Sequence, residues 1–141
     1  MDPLVLDGSI VLSWFLPGEC TDKVQTVRKR IEGGATAWVP SIWALEIANA
    51  FLVAERRKCI SQADSAAALT LLRKLPIETD AETALRAGGD ILALARQQQL
   101  SVYDAAYLEL AMRLGIPLAS VDGLLRTAGR TLMVPLLPET V

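Results

Sequence analysis

Histidine does not occur anywhere in these 141 residues. Imidazole is the usual general base near neutral pH and the usual ligand of transition metals. Its absence removes Ser-His-Asp and Cys-His hydrolases, His-ligated zinc enzymes and phosphohistidine chemistry together. Cysteine is almost as scarce: Cys20 and Cys59 have no metal-ligand spacing and are too few for a disulfide scaffold, which suits a reducing compartment. There is no basic leader, and the first apolar run, Leu4 to Leu16, is interrupted at once by Asp7. Neither a secretory signal nor a membrane span is expected, and the chain reads as cytoplasmic. Positive charge is not in excess either: 14 Lys and Arg stand against 16 Asp and Glu, a net charge of -2. That argues against a general nucleic-acid coat protein. It leaves a nuclease open, because divalent cations neutralise an acidic site and basic patches can be local.

What the chain has in surplus is apolar side chains, 52% against 21% charged, a richer mixture than an average soluble domain. The length suits one core, and no repeat, low-complexity tract or linker divides it. One domain spanning residues 1–141 is expected, with some apolar surface left for a partner. Trp14, Trp38 and Trp43 would suit either an interface or the core.

Short apolar runs alternate with longer helical patterns. Leu4-Val5-Leu6, Ala37-Trp38-Val39, Ile77-Glu78-Thr79, Pro117-Leu118-Ala119-Ser120 and Leu132-Met133-Val134 read as strands. Between them lie a short helix over Gly8 to Phe15, an amphipathic helix over Thr21 to Ile31, and a long helix from Ile42 to Arg57 capped by Ser41. That last helix is apolar on most sides and expected to be buried. Further helices run from Ser61 to Lys74, from an Asp80 cap to about Gln98, weakened by Gly88-Gly89, and from a Ser101 cap over Val102 to Leu114. A final short helix follows Asp122. The alternation predicts an α/β fold: three α/β/α layers with a central, mostly parallel sheet of about five short strands.

Four acids stand out in this order. Ligand sites of open α/β sheets gather beyond the carboxyl ends of the strands, at a switch in strand order. Asp7 directly follows the first strand, and Asp122 follows the fourth after Val121. Each, taken alone, reads first as an ordinary helix N-cap. Asp104 lies three residues after Ser101, in a first turn where an acid also suits a capping box or the helix dipole. Glu46 sits between Leu45 and Ile47 in a helix with few polar positions, where a buried carboxylate needs a cation, a proton or hydrogen bonds. If the fold brings the four together, two carboxylates about 4 Å apart repel by about 4 kcal/mol at an effective dielectric near 20. They would then raise their own pKa values or bind a cation. With no histidine, all-oxygen coordination favours magnesium or manganese over zinc.

Four blocks carry these acids: Val5-Leu6-Asp7-Gly8-Ser9, Pro40 to Ala50, Leu100 to Leu108, and Ala119-Ser120-Val121-Asp122. In this order they resemble the PIN-domain family, and within it the VapC-like toxins of toxin-antitoxin modules. The resemblance runs from about Leu4 to Val134. It departs from the family pattern at Gly8, where Ala is more usual, and at Gly123, where a basic or polar residue is frequent. Neither removes a ligand.

The resemblance implies a metal-dependent endoribonuclease in which water, activated by magnesium or manganese, attacks an RNA phosphodiester. Asp7 and Asp104 are the candidate direct ligands, completed by Glu46 and Asp122. Ser9, Asn49 and Ser101 are candidates for orienting them. Basic clusters Arg28-Lys29-Arg30 and Arg56-Arg57-Lys58, with Arg126 and Arg130 near the last acid, offer phosphate contacts. A homodimer and a cognate antitoxin that covers the acids are implied as partners. Two other readings stay open: a non-catalytic PIN-like binding module, and a metal-dependent DNA nuclease or phosphohydrolase.

Overall fold

A computed structural model describes residues 2–141. Five strands, β1 (Leu4–Leu6), β2 (Ala37–Val39), β3 (Ile77–Thr79), β4 (Leu118–Ala119) and β5 (Leu136–Leu137), form a sheet in the order β3-β2-β1-β4-β5. Every pairing is parallel, with Val5 level with Trp38 on one side and Leu118 on the other. The chain moves outward from β1 through β2 to β3, then returns to β1's other flank for β4. The order therefore switches between β1 and β4, and ligand sites of open α/β sheets gather beyond the carboxyl ends of the strands at such a switch.

The alternation of side chains along β1 sorts the core into two layers. Leu4 and Leu6 face a cluster built by helices α1 (Gly8–Phe15), α2 (Asp22–Glu32), α3 (Trp43–Arg56) and α4 (Gln62–Leu72). Its side chains include Ile10, Trp14, Val27, Ile31, Ile47, Phe51 and Leu72. Val5 faces the opposite cluster with Tyr107, Leu108, Leu110, Leu118 and Leu125. That layer holds α5 (Thr83–Arg86), a π-helical segment (Ala87–Ile91), α6 (Leu92–Gln98), α7 (Val102–Leu114) and α8 (Gly123–Thr131). Residues 105–111 of α7 are all buried, which makes it the central helix of its layer. Among the described residues, no helix is long and apolar enough to cross a membrane.

The structure departs from several expectations. The last strand is Leu136–Leu137, not Leu132-Met133-Val134. Met133 takes a left-handed backbone and Val134 N–H bonds to Gly129 O, so residues 132–134 wind off the end of α8. Pro135 then offers its carbonyl to Leu118 N–H, as a proline can at the start of an edge strand. Secondly, the helix expected from Asp80 to Gln98 breaks into α5, the π-helical segment and α6, because Gly89 leaves helical geometry. The Asp80 carboxylate accepts from Thr83 Oγ1 and from Arg113 instead. Thirdly, α3 is not buried on most sides. Ile47, Phe51 and Ala54 form one inward stripe, while Leu45 is 77% exposed. Nor does Ser41 cap α3 with its side chain; its N–H is held by Thr83 Oγ1. Of the tryptophans, Trp14 is core, its indole N–H bonded to Val24 O, and Trp38 and Trp43 are half-buried against the clusters.

Arg113 ties the broken helix to α7. Its guanidinium bonds both Asp80 oxygens and Glu109, all three side chains being largely buried, and reaches Glu82 at the rim.

Candidate functional site

Four elements each bring one acid toward the switch point, where their charges act on one another. β1 is a three-residue apolar strand whose carboxyl end hands the chain directly to Asp7, the N-cap residue of α1. Asp7 is 8% exposed, and its Oδ2 accepts from Ser9 Oγ at 2.6 Å and from Ser120 Oγ at 2.8 Å. Both hydroxyls are themselves oriented by backbone donors: Val121 N–H to Ser9 Oγ, and Asp122 N–H to Ser120 Oγ. Both hydroxyl donors converge on Oδ2, and the Ser9 backbone N–H adds to the hold on this carboxylate. The same serines link the α1 start to the β4 end, closing the switch point from both sides.

Asp122 follows β4 and caps α8, its Oδ1 accepting from Leu125 N–H at 2.8 Å. Asp104 occupies the first turn of α7, where the Ser101 hydroxyl accepts its N–H at 3.1 Å. Glu46 arrives from the opposite layer on the first turn of α3. Its Oε1 accepts a 2.7 Å hydrogen bond from the buried Tyr107 hydroxyl of α7.

The carboxylates feel one another. Burial, then the charges of Asp122, Asp7 and Glu46, push Asp104 up to about 6, with Ser101 opposing. Asp7 is raised chiefly by burial, with the Asp122 charge adding and its serine bonds opposing. Glu46 is raised by burial and by Asp7, against the Tyr107 bond. The Tyr107 hydroxyl is raised by burial and by Glu46, so it stays a proton donor. Each of these shifts disfavours the charged form, and a cation reverses that preference.

The donor set fits a hard divalent ion: every candidate ligand is a carboxylate, with hydroxyls around them. Among the described residues, no group of three or more acidic or cysteine side chains is placed to hold a metal ion by itself. Carboxylates with hydroxyls around them are the donors a hard ion that keeps several waters, such as magnesium, accepts. A cavity of about 690 Å³ beside the α3–α4 turn, lined in part by Leu52, Arg56, Cys59 and Asp64, includes none of these acids.

Other expected site residues fall differently. Ser9 meets Asp7, whereas Ser101 serves as a cap. Asn49 is exposed on α3, and the hydrogen bond to Glu46 comes from Tyr107 instead. Arg126 is corrected outright as a phosphate contact: it is 2% exposed and donates to Ser120 O and Glu139 O. Its guanidinium thereby props the loop that carries Ser120 and Asp122. Arg130 stays exposed on α8. Arg28 lies over the Trp14 and Phe15 rings and pairs with Glu32, as a helix-surface residue does. Ser120 and Tyr107 are site residues that sequence reasoning missed. Tyr107 lies three residues after Asp104, hence on the same helical face. Ser120 is a hydroxyl at a strand end, two residues before an acid.

The profile of the PIN domain matches residues 4–130, and the chain belongs to the PIN-domain family. A comparison with curated proteins found no match. Among solved structures, PAE2754 from Pyrobaculum aerophilum superposes with a TM-score of 0.65 at 20% identity, covering 89% of this chain and 84% of that one. VapC20 from Mycobacterium tuberculosis, described as a sarcin-ricin loop cleaving toxin, gives 0.62 at 17% identity over 89% of this chain and 95% of that one. VapBC2 from Rickettsia felis, solved bound to a DNA fragment from their promoter, gives 0.64 at 14% identity over 96% and 97%.

Proposed function

We propose that this chain, as one domain over residues 1–141, is a metal-dependent endoribonuclease and the toxin of a toxin-antitoxin pair in the cytoplasm. The observation that carries the reading is the convergence of Asp7, Glu46, Asp104 and Asp122, from both helical layers, at the switch between β1 and β4. Burial, and then the charges of the other three acids, push Asp104 up to about 6. Family membership supports nuclease chemistry, and the likeness to VapC20 and VapBC2 supports an RNA substrate and an antitoxin partner.

Asp7 and Asp104 would hold magnesium or manganese directly, with Glu46 and Asp122 completing the site directly or through water. When bound, the ion supplies Lewis-acid charge for the phosphoryl oxygens and makes water more acidic. The protein does the rest. Ser9 and Ser120 fix the direction of Asp7, Arg126 supports the Asp122 loop, and a carboxylate orients the attacking water or takes its proton. Arg130 remains the candidate phosphate contact. Exposed Leu45, Leu85, Leu124 and Met133 leave apolar surface for an antitoxin or a second copy in a homodimer.

The test is cleavage of structured and single-stranded RNAs by purified protein, in magnesium or manganese against EDTA, beside folded Asp7→Asn and Asp104→Asn variants. Single-stranded DNA and small phosphoesters serve as comparison substrates. Ion-dependent RNA cleavage lost in both variants is expected. Preference for DNA or small esters would redirect the substrate assignment, and absence of both cleavage and cation binding would leave a binding module.

A further inference from the structure

One hydrogen bond joins the two helical layers inside the acid cluster, from the Tyr107 hydroxyl on α7 to Glu46 Oε1 on α3, at 2.7 Å. We propose that Tyr107 is a positioning residue, whose hydroxyl holds Glu46 within the cluster and leaves Oε2 for the cation or its water. This rests on reading the four acids as a cation site.

Tyr107 is suited to the role because it cannot move. It is 1% exposed and packs in the cluster that includes Val5, Leu108, Leu118 and Leu125, so its ring direction is set by the core. Glu46 is the opposite case. It has a long, flexible side chain on the first turn of α3, where Ala44 and Leu45 beside it are exposed. Asp7 and Asp104 repel it. Rotation toward water would restore hydration and increase its distance from both acids, so a free Glu46 would leave the site. The short phenol-to-carboxylate bond opposes that rotation, being of the stronger, charge-assisted kind.

Helical spacing adds a second argument. Asp104 and Tyr107 are three residues apart on α7, on one face. One rigid helix therefore carries a candidate ligand and the tether for another, and sets the distance between a carboxylate of its own layer and one from the opposite layer. Simple satisfaction of a buried phenol is the plain alternative. It predicts an effect of Tyr107→Phe on stability and none on cation affinity.

Calorimetric titration of the full chain with Mn2+ separates the two, with wild type, Tyr107→Phe, Glu46→Gln and the double variant compared, and thermal melts in EDTA recording the fold. Tyr107→Phe is expected to bind Mn2+ about 10- to 100-fold more weakly, the range for groups that orient metal ligands. Its RNA cleavage should need correspondingly more Mn2+ and recover at excess. In the Glu46→Gln background the same change should add little, since Tyr107 acts through Glu46. Should Tyr107→Phe not fold, Tyr107→Met, which fills similar space without a donor, is compared in the same way. Unchanged Mn2+ affinity in the folded variant, or an equal loss in the Glu46→Gln background, overturns the role of Tyr107 alone. Absence of Mn2+ binding by wild type overturns the cation site and this inference with it.

Discussion

Replacing Asp104 by Asn should make the cation-free protein more stable above pH 6 while disabling the site. Raised from the ordinary 3.8 to about 6 by burial and by Asp122, Asp7 and Glu46, the Asp104 carboxyl disfavours its charged form by about 3 kcal/mol if water screened nothing. Asp104 is only half-buried, and solvent screening reduces this to about 1.5 kcal/mol. The substitution also removes an acid from the first turn of α7, where the helix dipole favours one by about 0.3–1 kcal/mol. Burial and repulsion together are the larger effect, leaving a net gain of about 1 kcal/mol, or about 3 °C in Tm for a chain of this size. The Ser101 cap is untouched, because it accepts a backbone N–H.

The pH dependence carries the sign. Between about pH 4 and 6 the folded chain holds a proton on Asp104 that the unfolded chain has released, so wild-type stability falls as pH rises through that window. Asp7 and Glu46, also raised, act in the same direction. The advantage of Asp104→Asn should therefore be present at pH 8 and absent at pH 4. Urea titrations of both proteins in EDTA at the two pH values measure it. Excess Mn2+ should reverse the ranking, since saturation at 100 times Kd stabilises wild type by about 2.7 kcal/mol. A variant no more stable than wild type at pH 8 in EDTA, or equally advantaged at pH 4, would refute the claim that burial and the neighbouring acids disfavour the Asp104 charge in the folded chain.

Two further substitutions probe the frame around the site. Arg113→Ala strands the largely buried Asp80 and Glu109 without their cation and should cost about 3 kcal/mol, read from the urea midpoint. Burial alone would raise Asp80, but its bonds from Arg113, the Glu82 backbone and Thr83 together lower it. That stabilisation is present above pH 4 and lost as pH falls, so the penalty of Arg113→Ala should shrink in acid. Ser120→Ala removes the donor to Asp7 and the acceptor of Asp122 N–H; RNA cleavage should drop about 10- to 100-fold with little change in KM. A pure KM effect would place Ser120 in substrate binding instead.

Which elements exist, and which of them end in acids, was legible in the chain itself. Apolar runs such as Leu4-Val5-Leu6, bounded by Asp and Gly, specify buried parallel strands. Ser101 announces its helix because capping is local chemistry between residues three apart, and Thr21 and Ser61 cap theirs in the same way. The missing histidine limited the chemistry before any fold was considered. Local patterns failed where a distant contact decided the outcome. Val134 wraps under α8 instead of entering the sheet, and the edge strand moves on to Leu136. Asp80 shares its carboxylate between the helix start and Arg113, 33 residues later, and the helix begins only at Thr83. Arg126 looked like a surface cation, yet two backbone carbonyls accept its guanidinium in the interior. The acids themselves are sequence features, but their nearness is not. Only the parallel sheet, by reversing its strand order beside β1, sets Asp7 next to Ser120 and brings Glu46 of one layer within reach of Tyr107 of the other. Charge repulsion and hydrogen bonds depend on distance, and between residues 61 to 113 positions apart it is the tertiary structure that sets the distance.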